Sequence, residues 1–310
     1  MLRCNMKRPV IVIGGPTASG KSALAIRLAQ ALGGTVVNAD SMQLYRDLPI
    51  LTARPSPADE QLVPHALYGI WGALEIGSAG RWLALLADLH AREPHTPLVV
   101  TGGTGLYLEA LLHGMAPVPD IPADIRAEVR SLPPESLHRI LSEEDPAMAD
   151  RLRPTDPQRL MRALEVRRAT GRSLLAWQAD PPERIDLGVE PEGVALLPPR
   201  DELVARIGRR LGQMLAAGAL DELAAFLAEP AHAGSPLLKA VGVPELARSV
   251  TDAVPPADAL AAAAIATRQY AKRQVTFLRH RLKALQPCAG FGDDLAVQEA
   301  VCARILSRLR

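Results

Sequence analysis

Gly15-Pro16-Thr17-Ala18-Ser19-Gly20-Lys21-Ser22 is the stretch that decides the fold of this chain. An apolar run, residues 9–13, precedes it, and residues 23–29 follow it with apolar side chains at helical spacing. This order predicts a strand, a glycine-rich turn and a helix, the context in which a G-x-x-x-x-G-K-[ST] pattern binds phosphate through backbone N–H groups. We expect Lys21 to reach the terminal phosphate of a di- or triphosphate and the Ser22 hydroxyl to bind Mg²⁺. The alternative is a tight turn that carries an exposed lysine.

The composition provides ample material for a hydrophobic core. The 310 residues are 48% hydrophobic and 22% charged, which suits one large or two modest domains. Cys4, Cys288 and Cys302 lie far apart and offer no zinc pair or disulfide framework, which fits a reducing compartment. The sequence contains no apolar run of membrane-spanning length and no signal-peptide pattern. We expect a cytoplasmic protein with no membrane partner, and nothing in the sequence requires more than a monomer.

Further apolar runs predict that the first strand belongs to a parallel sheet. Residues 35–39, 97–101 and 193–197 are short and aliphatic, and helical patterns lie between them. Residues 46–66 are rich in proline and are expected to form loops. These patterns predict an α/β fold with a parallel sheet of the P-loop NTPase type, flanked by helices. Three parts are expected: a core of residues 1–116 and 187–290, an all-helical insertion of residues 117–186, and a C-terminal helical tail of residues 291–310.

Two polar residues are expected at the same edge of the sheet as the phosphate loop. Asp40 follows the second predicted strand, and Thr104 lies in the Gly102-Gly103-Thr104-Gly105 turn after the third. Ligands of open α/β sheets bind outside the carboxyl ends of the strands, so both side chains should lie near the bound phosphate. Asp40 is equally compatible with a helix N-cap, and the spacing leaves both interpretations open.

Two segments carry an excess of basic side chains. Residues 151–172 contain seven arginines against Asp156 and Glu165, and residues 268–283 contain six Lys or Arg residues and no acid. Four of these six share one narrow face at about 100° per residue: Arg268, Lys272, Arg279 and Lys283. An acid-free basic stripe favours a polyanionic partner such as nucleic acid over an ordinary solvated surface.

These features distinguish three classes of protein. A small-molecule kinase would use the phosphate loop but neither basic segment. A non-catalytic RNA-binding module would use the basic segments but not the loop. A nucleic-acid-modifying transferase uses all of them, and the lack of an evident second metal-binding Asp after a hydrophobic run argues against a nucleotide-hydrolysing motor.

Five blocks of sequence together are far more specific than the phosphate loop alone. They are residues 15–22, Asp40-Ser41-Met42-Gln43-Leu44-Tyr45, Gly102-Gly103-Thr104-Gly105-Leu106-Tyr107, Asp156-Pro157-Gln158-Arg159-Leu160-Met161-Arg162-Ala163-Leu164-Glu165 and Thr267-Arg268-Gln269-Tyr270-Ala271-Lys272-Arg273-Gln274. In this order, over nearly the whole chain, they resemble the tRNA dimethylallyltransferase (tRNA isopentenyltransferase, IPP transferase) family. The sequence has no C-terminal Cys/His finger of the eukaryotic relatives, so the bacterial type is expected.

The resemblance implies a prenyl transfer. Residues 15–22 would hold the diphosphate of dimethylallyl diphosphate, which leaves with the help of Mg²⁺ bound at Ser22. The acceptor would be N6 of the adenosine that follows the anticodon in tRNAs reading codons that begin with U. Asp40 matches the family's general base, Thr104 a threonine that contacts the substrates, and Arg210 an arginine near the diphosphate.

The resemblance also implies which segments bind the anticodon stem-loop of tRNA. Most of these contacts are expected to be with phosphate and sugar, and a flipped-out base in the loop would supply sequence preference. The implied residues are Asp40, Ser41, Met42, Gln43, Thr104, Arg126, Gln158, Arg159, Leu160, Met161, Arg162, Lys239, Ala240, Val241, Gly242, Lys272, Arg273 and Arg279.

The match has three weak points. Arg206 and Arg209 lie close enough in sequence to be alternatives for the diphosphate arginine. Leu51 and Arg54 stand where the family has the glycine and lysine of an I-G-T-A-K segment, so the local turn is expected to differ. Val243 replaces a family tyrosine, which removes an aromatic ring and a hydroxyl from a glycine loop expected to contact tRNA.

Overall fold

A six-stranded parallel sheet is the centre of the structure, a computed structural model that describes residues 9–309. The strands are β1 (Val10–Gly14), β2 (Thr35–Asn38), β3 (His65–Ala66), β4 (Leu98–Gly102), β5 (Glu192–Leu196) and β6 (Gln286–Cys288). Their order across the sheet is β3-β2-β4-β1-β5-β6, and every pairing is parallel. The predicted α/β fold is therefore confirmed.

Helices occupy most of the remaining described chain. They are α1 (Lys21–Leu32), α2 (Pro49–Thr52), α3 (Pro57–Leu62), α4 (Ala79–Arg92), α5 (Gly105–His113), α6 (Ala123–Ser131), α7 (Leu137–Glu144), α8 (Pro146–Ala149), α9 (Pro157–Thr170), α10 (Leu174–Ala179), α11 (Arg200–Ala216), α12 (Ala219–Ala228), α13 (Val243–Thr251), α14 (Pro256–Arg281) and α15 (Leu295–Arg308). Short 3₁₀ turns form at Pro134–Ser136, Pro230–Gly234 and Pro236–Lys239.

The strand register aligns the carboxyl ends of three neighbouring strands. Gly14 of β1 lies opposite Gly102 of β4, and Asn38 of β2 lies opposite Thr101 of β4. Strands β1, β2 and β4 are buried along their whole length, as expected where helices cover both faces of a parallel sheet. The loops after these strands therefore open at one edge of the sheet, where ligands bind in this class of fold.

The chain divides into two compact units. One comprises the chain up to Leu112 together with the chain from Ile185 onward, and the other is His113–Arg184. The second unit contains α6–α10 around its own apolar cluster, which includes Leu137, Leu141, Leu160 and Leu164. From the sequence, this helical insertion is expected to span residues 117–186.

The C-terminal helical tail expected over residues 291–310 contains α15. This helix packs on α1 in the first unit, where its Val301 and Ile305 share an apolar cluster with Leu24 and Leu28. Apolar residues four apart on α15, at Val297, Val301 and Ile305, are typical of a helix. They give no sign of the surface on α1 against which that helix packs.

The expectation of loops over residues 46–66 is wrong. This segment forms α2, α3 and the edge strand β3. Prolines begin both helices, a position where the missing N–H is not needed. Glu222 accepts hydrogen bonds from the backbone N–H groups of Ile50 (2.9 Å) and Leu51 (3.0 Å) at the start of α2. Leu51 therefore has ordinary helical backbone, so the glycine of the family segment is not required.

In the described part of the chain, no single helix has the length and apolar character needed to cross a membrane. Helices α11 and α12 meet those criteria only as a pair, bent by 64°.

Candidate active site

The phosphate loop is fixed from the C-terminal side of the chain. Gly20 adopts φ +78°, and a Cβ there would lie 2.4 Å from Asp293 Oδ1 and 2.6 Å from the Asp293 backbone nitrogen, so only glycine fits. The Gly292 N–H donates to the Ser19 carbonyl at 2.8 Å. Arg206 binds both oxygens of Asp293 at 2.6 Å and lies over the Phe291 ring. Residues 291–293, at the start of the expected C-terminal helical tail, therefore support this loop.

A cavity of about 240 Å³ opens beside the loop. The lining includes residues 18–22, Arg54, Tyr68 and Arg210. Burial lowers the pKa of Lys21 to about 8; the negative charge of Asp40 opposes this shift, and Arg210 adds to it. Burial also lowers the pKa of Arg210, again opposed by Asp40. Two cations thus face one small cavity, an arrangement that favours a small anion.

Asp40 lies at the end of β2, where a local turn orients its carboxylate. Its backbone N–H donates to Asn38 Oδ1 at 2.7 Å, and its Oδ1 accepts from the Met42 N–H at 3.1 Å. The alternative interpretation of Asp40 as a helix N-cap is wrong, because no helix begins there; its Oδ1 instead caps a turn. The position of a Cβ built on Gly103 is 3.4 Å from the other oxygen, Oδ2.

Thr104 joins the loop after β4 to the loop after β2. Its Oγ1 accepts from the Ser41 N–H at 2.9 Å and lies 3.3 Å from the Ser41 hydroxyl, while its own N–H donates to the Ala39 carbonyl. The structure thus brings Thr104, Ser41 and Asp40 together at one rim, as the sequence predicted from the strand ends. Their roles toward a substrate stay predictions.

Three tyrosines around this rim were missed by the sequence interpretation. Burial raises the pKa values of Tyr68, Tyr107 and Tyr270, and the negative charge of Asp40 contributes to each increase. Tyr107 and Tyr270 lie within two of the family blocks, but the sequence assigns them no role, and Tyr68 lies in none of the blocks. All three phenol groups are therefore within electrostatic range of Asp40.

The geometry distinguishes the three candidate arginines of α11. Arg210 lines the cavity with Lys21, whereas Arg206 pairs with Asp293 and Arg209 is exposed. One helical turn separates Arg206 from Arg210, so the two cations support the loop and face the cavity from neighbouring positions of the helix. The structure therefore favours Arg210 over its neighbours for a contact with a bound anion.

Helix α14 crosses the same rim. Ala271 and Leu278 of this helix are buried, as is Leu282 directly after it. All four residues of the predicted basic stripe are exposed. Sequence reasoning missed the buried Gln274, whose amide bonds both the phosphate loop and the loop that contains Thr104. Only contacts between distant segments could reveal it.

The other predicted tRNA contacts of the first unit are divided between surface and interior. Lys239 and Val241 are exposed, but Ala240 is buried and Gly242, at φ +88°, is a buried helix N-cap. A direct contact through the Ala240 side chain is therefore wrong, because its methyl group lies in the core. Gln43 donates its side-chain N–H groups to the carbonyls of Thr52 and Ala53, so its nitrogen supports α2.

The helical unit contains the remaining predicted tRNA contacts. Gln158, Arg159 and Arg162 lie at least partly exposed on α9, and burial lowers the pKa of Arg162, with Arg126 close enough to contribute. Leu160 is fully buried in the apolar cluster, which argues against a tRNA contact through its side chain. The reason is the helical stripe of apolar residues that Leu160 shares with Ala163 and Leu164, one turn further along α9.

The residues present fit Mg²⁺ only as an ion shared with a phosphate ligand. Ser22 offers one exposed hydroxyl oxygen beside Lys21, and no group of three His, Cys, Asp or Glu side chains within residues 9–309 could hold a metal by itself. Mg²⁺ commonly takes one or two protein oxygens and completes its octahedron with phosphate and water. The donor set therefore fits the ion predicted at Ser22.

A parallel sheet with a phosphate loop at its carboxyl edge defines an α/β phosphate-binding protein. A family model described as IPP transferase matches residues 43–281. The tRNA dimethylallyltransferase of Rhodospirillum rubrum is 52% identical over 281 residues, which are 89% of this chain and 86% of that protein. Its counterpart in Parvibaculum lavamentivorans is 47% identical over 97% of both chains.

Solved structures agree with these matches. The full-length tRNA isopentenylpyrophosphate transferase of Bacillus halodurans has a TM-score of 0.69 at 29% identity and covers 98% of this chain and 97% of its own. A eukaryotic dimethylallyltransferase acting on tRNA has a TM-score of 0.77 at 25% identity, covering 96% of this chain and 77% of its own. The chain belongs to the IPP transferase family and is an enzyme of that family, which disfavours the kinase and the non-catalytic RNA-binding module.

Proposed function

We propose that this enzyme transfers a dimethylallyl group from dimethylallyl diphosphate to N6 of the adenosine that follows the anticodon, in tRNAs reading codons that begin with U. The observation that carries the proposal is the common rim of Asp40, Thr104, Lys21 and Arg210, where a carboxylate lies near two cations of a phosphate cavity. Support also comes from the relatives' name, tRNA dimethylallyltransferase, and from the eukaryotic neighbour that acts on tRNA.

The diphosphate would bind in the cavity of the phosphate loop. Backbone N–H groups of residues 15–22, the Lys21 ammonium and the Arg210 guanidinium would stabilise the negative charge that builds on the leaving group. Mg²⁺, bound at Ser22, would supply further neutralisation of that charge. The cations at this site face a cavity rather than open water, so their attraction to the anion is only weakly screened.

The adenine N6 amine would attack the first carbon of the prenyl chain. The N6–C bond forms while the C–O bond to diphosphate breaks, and the diphosphate leaves with the electron pair. The amine is a poor nucleophile because its lone pair is delocalised into the ring, so a base must accept its proton. Asp40 is suited to this role, since Met42 fixes one carboxylate oxygen while Oδ2 lies on the Gly103 side of the rim.

The tRNA would bind to exposed cations of both units. In the first unit these are the stripe on α14 and Lys239; in the second they are Arg159 and Arg162 with Arg126. Such side chains contact phosphates without reading sequence, so they would set affinity, and a flipped-out adenosine would set specificity.

One assay tests the proposal directly. The protein is incubated with Mg²⁺, labelled dimethylallyl diphosphate and unmodified tRNA whose anticodon is followed by adenosine, and the RNA is digested to nucleosides. N6-prenyladenosine is expected, and its absence would refute the proposal. Asp40→Asn should lower turnover by about 10²–10⁴-fold with tRNA affinity intact. Asp47→Asn on the same segment is the control, and lost tRNA binding in Asp40→Asn would make Asp40 a recognition residue.

A further inference from the structure

Gln274 connects two loops of the rim from the buried face of α14. Its Oε1 accepts from the Thr17 N–H at 2.9 Å, and its Nε2 donates to the Gly103 carbonyl at 2.9 Å. The residue is 6% exposed. An amide is suited to this position because it offers one acceptor and one donor on the same short group.

The two loops held by Gln274 bear different parts of the chemistry. Thr17 belongs to the phosphate loop, and Gly103 directly precedes Thr104 and lies beside Asp40 Oδ2. A shift of either loop would therefore change the distance between a bound diphosphate and the carboxylate. Misplacement of reacting groups by about 1 Å is enough to lower a rate by about 10²-fold.

Glycines allow α14 to approach this closely. A Cβ on Gly103 would lie 2.2 Å from Gln274 Nε2, one on Gly105 would lie 2.4 Å from Phe277, and one on Gly14 would lie 2.7 Å from Leu278. Side chains on one face of α14 thus pack on backbone at the end of β1 and in the turn that joins β4 to α5. Gln274 is the polar member of this row, where a hydrophobic side chain would leave two buried backbone groups without partners.

We infer that Gln274 is a positioning residue, which sets the separation of the phosphate loop and the Thr104 loop and thereby aligns the diphosphate donor with the base. The inference rests on the proposed function for its kinetic consequence. Its structural consequence, the fixing of both loops by one amide, is independent of the reaction.

Gln274→Met tests the inference, because methionine keeps the length of the side chain and removes both hydrogen bonds. We expect kcat to fall about 10- to 100-fold with the KM for tRNA changed less than about threefold. Hydrogen–deuterium exchange of the tRNA-free protein should become faster in peptides covering both residues 15–20 and residues 102–106. Thr267→Val is the matched control, since Thr267 is also buried on α14 but bonds only the Ala263 carbonyl of its own helix.

A second pair of variants tests the contact from the opposite side. In the otherwise unchanged protein, Gly103→Ala should lower kcat about tenfold or more, because the new methyl group collides with the Gln274 side chain. In a protein that already carries Gln274→Ala, the same change should lower kcat less than about threefold, because that collision is gone. Unchanged exchange in either loop, unchanged kcat in Gln274→Met, or additive effects of the pair would each overturn the inference. Failure of the unmodified enzyme to form product would instead refute the proposed function, and the exchange measurement would still decide the role of Gln274.

Discussion

Two cationic regions of the first unit differ in how they meet solvent. Lys21 and Arg210 face a small cavity, and burial lowers the pKa of both. Lys272 and Arg279 lie exposed on α14. A cation that faces a cavity attracts a bound anion strongly, because the local dielectric constant is low. An exposed cation attracts anions more weakly, because salt screens its charge beyond about 10 Å. The difference indicates two kinds of anion: a compact one bound for chemistry and an extended one bound for affinity.

Removal of Lys21 should have the largest effect. We expect Lys21→Ala to lower kcat by about 10²–10³-fold or more, because the charge that develops on the leaving diphosphate loses one of the cations that line the cavity. The affinity for tRNA should change by less than about twofold, since this side chain contributes little to an exposed phosphate contact. Single-turnover kinetics and filter binding measure the two quantities.

Arg209→Ala provides the control for that comparison, because it removes an exposed cation next to Arg210 on the same helix. If Lys21→Ala weakened tRNA binding as much as it slowed the reaction, the two cationic regions would not be separate in function.

The second largest effect should be a pH dependence of donor binding that arises at the cavity and not at the exposed cations of α14. Lys21 carries its charge below its pKa of about 8 and loses it above, so the affinity for dimethylallyl diphosphate should be constant below pH 8. Above pH 8 it should fall, by at most about tenfold per pH unit. Titration calorimetry without tRNA, from pH 7 to 9.5, measures this. Lys21→Arg should remove the dependence because arginine stays charged; an unchanged pH profile in that variant would exclude Lys21 as its source.

Replacement of Lys272 should have a smaller effect, on the affinity for tRNA and its salt dependence and not on the chemical step. We expect Lys272→Ala to weaken tRNA binding about three- to tenfold at low salt and to reduce the slope of log affinity against log salt by about one. Arg27→Ala, which removes an exposed cation from α1, is the control. If the slope were the same in wild type and Lys272→Ala, α14 would lie outside the tRNA path.

Much of this site follows from local sequence. The strand, the glycine turn and the helix that begins at Lys21 are fixed by contiguous residues, and Asp40 and Thr104 come to the rim because parallel strands end together. Gln274 and Asp293 could not be predicted this way. Each acts on the phosphate loop from a position more than 250 residues along the chain. Gln274 ends the fifth sequence block, but nothing in that block indicates which segment its side chain contacts.

The edges of the sheet show a related limit. Strand β3 has two residues and β6 has three, one of them Pro287, so neither shows the alternation or aliphatic run that predicts a strand. Each is a strand because a neighbour offers free backbone groups: β2 pairs with β3, and β5 pairs with β6. Helix α2 is similarly fixed by Glu222, a partner that its own sequence does not indicate.

The arginines of residues 151–172 show that charge counted in sequence overstates the charge available to a ligand. Arg168 binds Glu144 at 2.6 Å and Glu128 at 2.7 Å, and Arg172 pairs with Asp180. These ion pairs lie within the helical unit and use cations that the sequence interpretation assigned to a basic surface. Arg159, by contrast, is 75% exposed and meets Asp156 only at 3.3 Å.

Arg159 and Arg168 therefore allow the smallest predicted effect to be measured within one helix. Arg159→Ala should weaken tRNA binding about twofold and reduce the salt slope by less than about one, because Asp156 already shares its charge. Arg168→Ala should leave the slope unchanged and lower the melting temperature of the protein, since Glu144 and Glu128 lose a half-buried partner. The reverse pattern would mean that the ion pairs of Arg168 open on RNA, and that exposure in the free protein does not identify the cations that bind it.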